Sequence, residues 1–172
     1  AMPYLAAPLP TTGRSVTWGP PVTSGTVVIP GTIDPTGATD VAAAINAWVE
    51  SVPDGRILDF NGGTFKLSQG IQLSNRHNLV LWGHGATLNV AAGASGGDQL
   101  TSPIVVGHKY GGSWTLGSAD ISIHDFTIVG NNPTPGTFVP GSEAQANLEL
   151  TGCTRLEVYD IAGSNAYGDF AF

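Results

Sequence analysis

Three stretches of this 172-residue chain can be set beneath one another: "HNLVLWGHGATL" (77–88), "ADISIHDFTIVG" (119–130) and "TRLEVYDIAGSN" (154–165). Leu79 and Leu81 then fall over Ile121 and Ile123, and over Leu156 and Val158. A second short apolar segment follows each pair, at Thr87-Leu88, Phe126–Ile128 and Ile161. A shorter apolar strand precedes each copy: Ile71-Gln72-Leu73, Ile104-Val105-Val106 and Leu148-Glu149-Leu150. The final "FAF" reads as the start of one more copy, with Phe170 lying 22 residues after Leu148. No other feature constrains the fold as tightly, because a repeat too small to bury its own apolar face must stack on its neighbours.

The spacing predicts a parallel β-solenoid. Alternate residues of a strand face inward, so Leu148 and Leu150 are expected to stack on Phe170 and Phe172. Asn147, Glu149, Asp169 and Ala171 are then expected to point outward. Longer intervals between copies hold the inserts "AAGASGGD", "HKYGGSW" and "NNPTPGTFVPGSEAQ". One helix is predicted, over residues 39–51, with Thr39 or Asp40 as its cap. Val41, Ala44, Ile45, Trp48 and Val49 form its apolar stripe, and Pro53-Asp54-Gly55 stops it. Two regions follow: an extended Pro/Gly/Thr-rich segment over 1–38, then the helix and first coils over 39–172, truncated at the C-terminal end.

Composition fits a turn-rich chain, with 24 glycines and 12 prolines. Its net charge of −7, with only six scattered Lys and Arg, argues against nucleic acid. No apolar run is long enough to span a membrane, so no membrane partner is expected. Cys153 is the single cysteine, which excludes a disulfide framework and a cysteine metal site. The opening "AMPYLAAPLP" lacks the basic head and long apolar segment of a signal peptide.

The segment from Ile33 to Leu88, "IDPTGATDVAAAINAWVESVPDGRILDFNGGTFKLSQGIQLSNRHNLVLWGHGATL", resembles the opening of pectate-lyase-like proteins. Asp40, Ala43, Ala44, Ile45 and Ala47 fit that group's capping-helix pattern. Gly55, Ile57, Phe60, Gly63, Thr64 and Phe65 fit its first coil, with Asn61 where proline is usual. Leu81, Gly83, Gly85, Ala86, Thr87 and Leu88 fit its "L-x-G-x-G-A-T-L" turn. The resemblance implies an all-β fold: a right-handed single-stranded parallel β-helix with one N-terminal capping helix. It implies the N-terminal portion of a carbohydrate-active protein, cleaving polysaccharide as a hydrolase or lyase. The alternative is a non-catalytic adhesin, tail-fibre stem or carbohydrate-binding module. The setting would be extracellular or virion-associated, with polysaccharide as partner and a homo-oligomer possible, trimeric in a tailspike.

Within that reading, His84 in "GHG" is a turn residue rather than a catalytic base, because its flanking glycines supply the unusual backbone. "SNAYGDFAF" resembles the group's turn into a saccharide groove. That places Asp169 and Glu149 as candidate catalytic carboxylates and Asn147, Asn165 and Tyr167 as substrate-binding residues. Tyr110 and Trp114, on the aromatic insert, are further candidates for stacking on sugar rings. No metal ligand set is evident, since His77, His108 and His124 lack ligand spacing. No cofactor is expected beyond a calcium ion if the reaction is that of a uronate lyase. Asp120, Asp125 and Asp160 are read as turn residues.

Overall fold

The computed structural model describes residues 23–91, 102–107, 117–137, 145–168 and 170–171. Elements run β1 (Thr26–Val28), β2 (Thr36–Asp40), α1 (Ala42–Ser51), β3 (Arg56–Asp59), β4 (Thr64–Leu67) and β5 (Ile71–Ser74). They continue with β6 (His77–Val90), β7 (Ile104–Gly107), β8 (Ser118–Val129), β9 (Leu148–Thr151) and β10 (Cys153–Ser164). Every strand pair among the described residues is parallel. The 14-residue β6 is the hub of a seven-stranded sheet. Its first half pairs with β3, its second half with β4, and its other edge with β8, which in turn carries β10. Strands β5, β7 and β9 form a separate three-stranded sheet.

This corrects the expected fold. Among the described residues the strands form not a single-stranded β-helix solenoid but two separate parallel sheets, of seven and three strands. The physical reason lies at the bends. Asn78, His84, Asp120, Asp125, Arg155 and Asp160 all take left-handed φ values between 51° and 57°, or 63° at Asp125. Single residues in that region turn the chain without breaking its hydrogen bonding, and Asn and Asp tolerate it best. The apolar pair Leu79/Leu81 and the later segment Thr87-Leu88 therefore lie on one continuous strand. The four-residue β5, β7 and β9 pair with one another and with no strand of the larger sheet among the described residues.

The aligned repeats do lie side by side. Leu79 pairs with Ile121 and Ile121 with Leu156, while Leu81 pairs with Ile123 and Ile123 with Val158. Ile71, Ile104 and Leu148 form the matching row of the smaller sheet. These rows fill one apolar core. Leu79, Leu81, Ile121 and Ile123 are buried, whereas Leu156 and Val158 on β10 are only half-buried. The C-terminal register differs from expectation: Leu148 pairs with Ala171, not Phe170. A one-residue slip exchanges the two faces of a strand, and Phe170 is accordingly exposed.

Helix α1 starts after Val41, with no side-chain cap on that residue. Thr39 bonds Asp34 instead, and Asp40 accepts the Ala42 N–H at 3.1 Å. Val41, Ala42, Ile45, Trp48 and Val49 are buried against the sheet, while Ala44, expected in the stripe, is exposed. Arg76 holds the other end. Its guanidinium donates to Val49 O (2.7 Å), Val52 O (2.5 Å) and Asp54 Oδ1 (2.8 Å). Carbonyls of a last helical turn lack intrahelical donors and favour a cation. Arg76→Met should therefore cost about 2 kcal/mol in urea unfolding. An unchanged midpoint would show that solvent serves those carbonyls equally well.

Ahead of the helix, Asp34 accepts four bonds, from the N–H and hydroxyl of Thr36 and of Thr39, at 2.6–2.9 Å. The Thr36 hydroxyl and these companions hold its carboxyl well below the ordinary 3.8. Burial alone would raise Asp40, but the Ser68 hydroxyl, the Ala42 and Ser68 N–H groups and Lys66 together lower it. Depressed carboxylates contribute stability above the ordinary value that is lost as pH falls through the folded-state value. The urea midpoint should hold from about pH 7 to 5 and fall below about pH 4. Asp34→Asn should flatten that fall, and an equally steep fall in the variant would remove Asp34 as a source.

Candidate functional site

The candidate site grows from one irregularity. Trp82 pairs with His124 and Ala86 with Phe126, so Gly83, His84 and Gly85 stand opposite the single Asp125. Two extra residues must leave the plane of the sheet. Gly83 lies tight against β8: a Cβ there would lie 2.0 Å from Asp125 O. The protruding His84 folds back so that its ring lies flat on Trp82, with centroids 4.2 Å apart and planes 12° apart. Its Nδ1 lies 3.2 Å from Oδ1 of Asp59, the residue paired with Trp82 on β3. Asp59 is buried, and its Oδ1 also accepts the Asn61 N–H at 2.7 Å.

The stack continues across the sheet. Trp82, His124 and Tyr159 occupy one row by register. His124 stacks on Tyr159 at 4.6 Å and 8°, and on Trp82 at 6.3 Å and 26°. Trp82 Nε1 donates to Asp125 Oδ2 at 3.3 Å. The row thus runs His84, Trp82, His124, Tyr159, on the face opposite the apolar core. Among the described residues no strand pairs with the far side of β10, and Tyr159, with one face on His124, is 43% exposed. Glu157 and Asp160, both exposed, flank it on the same strand. Burial pushes the His124 imidazole below its ordinary value, opposed by the charges of Asp125, Asp160 and Glu157.

The sequence-predicted residues lie elsewhere. Asn147 and Glu149 alternate with the core-facing Leu148 and Leu150, yet they are covered: 2% and 8% exposed. Register supplies the reason for Asn147. With Leu148 on Ala171, the Phe170 ring and Asn147 Nδ2 both crowd Gly163, within 2.6 Å of where its Cβ would be. Glu149 shares a row with Val105 and Gln72 and accepts a 3.4 Å bond from the Thr151 hydroxyl. Asn165 takes a left-handed φ of 55°, and its carbonyl accepts the Asn132 N–H at 3.0 Å, a turn role. Tyr167 is half-buried. Asp169, Tyr110 and Trp114 lie outside the described residues.

Asp120, Asp125 and Asp160 do occupy bends, and Asp120 also makes a two-pronged contact with Arg155. No group of three His, Cys, Asp or Glu is placed to hold a metal among the described residues. A cavity of about 460 Å³ lies on the flank lined by His77, Ser118, Leu150, Cys153 and Thr154, away from the ring stack. Burial raises the Cys153 thiol there above its ordinary value. The sequence reading missed the ring stack, although Trp82, His124 and Tyr159 share one column of the aligned repeats. Comparisons with protein-family models, curated proteins and solved structures found no match, so the pectate-lyase-like resemblance rests on the quoted residues alone.

Proposed function

We propose that this protein binds polysaccharide on the outer face of its larger sheet without cleaving it. The observation that carries this reading is the end of the ring stack. Tyr159 is 43% exposed beside two exposed carboxylates, Glu157 and Asp160, and among the described residues only His124 stacks on its ring. A pyranose presents a C–H face to such a ring, and its hydroxyls donate hydrogen bonds to carboxylates. The rings beneath Tyr159 hold its plane, which lowers the entropy lost on binding. Cleavage asks for two carboxyl groups flanking one substrate bond, and Glu149, the described member of the expected pair, is buried. Polysaccharide binding belongs with an extracellular or virion-associated setting.

Affinity electrophoresis through gels containing a panel of polysaccharides tests this. Retardation is expected for the native protein. Tyr159→Ala should weaken it at least about tenfold, the loss typical of a central contact residue. Val28→Ala, an exposed change at the opposite edge of the sheet, should leave it intact. Equal retardation of Tyr159→Ala would sink the site. Release of reducing ends or unsaturated uronates would sink the non-cleaving assignment.

A further inference from the structure

The charges around Tyr159 restrict what binds there. Glu157 and Asp160 are both exposed, and Asp125 lies one bend away on β8. The neighbouring cation, Arg155, is occupied by its contact with Asp120. Glu157 is positioned by the Ser122 hydroxyl, which donates to Oε2 at 3.2 Å, and no side-chain bond engages Asp160 among the described residues. All three carboxylates act on His124, directly beneath Tyr159. Among the described residues, the exposed ring therefore sits in a negative field with no unengaged cation beside it. A polyuronate or sulfated glycan would meet repulsion. An ammonium group would meet the negative face of an aromatic ring and two carboxylates together, the chemistry that selects organic cations.

We infer that the glycan taken by the Tyr159 face carries protonated amines: an amino sugar with its nitrogen unacylated. This rests on the polysaccharide reading given above and adds the substrate class to it. The amine would lie over the ring, with Glu157 and Asp160 as counter-charges, and the pyranose would extend along the edge of β10. Because both carboxylates are exposed, the preference should weaken as salt screens them.

The test is a binding titration, by NMR or calorimetry, with four probes: a glucosamine oligomer, the same oligomer fully N-acetylated, a galacturonate oligomer and tetramethylammonium. The glucosamine oligomer should bind at least about tenfold more tightly than the acetylated one at low salt. That margin should vanish in the Glu157→Gln/Asp160→Asn double variant, whose circular dichroism should match the native protein. Equal binding of the two glucosamine oligomers, tighter binding of the galacturonate oligomer, or an unchanged double variant would each overturn the amine preference. Such results would leave polysaccharide binding standing. Tetramethylammonium binding that Tyr159→Leu abolishes, with no oligosaccharide bound, would keep the cation preference and overturn the polysaccharide reading. No binding of any probe would overturn both.

Discussion

Phe60→Ala should destabilise the protein by about 4 kcal/mol. Phe60 is fully buried and makes edge-on contacts with three other rings. Trp48 of α1 lies 5.3 Å away, Phe65 of β4 at 5.9 Å and Phe126 of β8 at 5.1 Å, all at 75–77°. Its removal opens a cavity where helix and both limbs of the larger sheet meet, and also strips the edge-to-face contacts. The collapse needed to refill that space would have to move three elements at once. Urea unfolding should show a lower midpoint with an unchanged slope. Phe60→Leu should cost roughly 1.5 kcal/mol, since most of the volume remains. A loss below about 1 kcal/mol in the alanine variant would mean that the ring cluster does not join these elements as described.

Gly83→Ala should cost about 3 kcal/mol, although it adds one methyl group. The added carbon would lie 2.0 Å from Asp125 O, 2.7 Å from Asp125 C and 2.8 Å from Phe126 Cγ. Two of these are backbone atoms that cannot rotate away, so β6 and β8 must separate at the bend. Gly85 is the control. A Cβ there meets nothing within 4 Å, but its φ is +82°. Gly85→Ala should therefore cost only about 1–2 kcal/mol, as backbone strain. If the two variants unfold at the same midpoint, close approach is not what Gly83 relieves. Because Gly83 launches His84 onto Trp82, its alanine variant should also quench the ring stack's near-ultraviolet dichroism.

Much of the fold was legible because it is written in local pattern. The alternation in "ISIHDF" and "LEVYDI" set which side chains enter the core, and the repeat spacing placed Leu79, Ile121 and Leu156 in one row. The bends at Asp120, Asp125 and Asp160 were legible too, since tolerance of left-handed backbone is a property of the residue itself. The division into two sheets was not. Whether a bend ends a strand or merely turns it depends on which neighbour receives the hydrogen bonds beyond it, and β6 divides its edge between β3 and β4.

The candidate site was less legible. Glu149 and Asn147 alternate correctly for an outward face, yet both are buried. Leu148 meets Ala171 instead of Phe170, a slip of one position that hydrophobicity at "DFAF" does not reveal. His84 was readable as a turn residue, and its φ of 54° agrees. Its contact with Asp59, 25 positions earlier, required the register that seats β3 against β6.

By itself, the sequence determined the inward rows, the bend residues, the helix and the acidic balance, because each follows from residue chemistry within a few positions. Tertiary structure alone decided which strands share a sheet, that Glu149 is enclosed, and that Trp82, His84, His124 and Tyr159 form one stack. Those outcomes hang on inter-strand register, where a shift of one residue reverses every side chain of a strand.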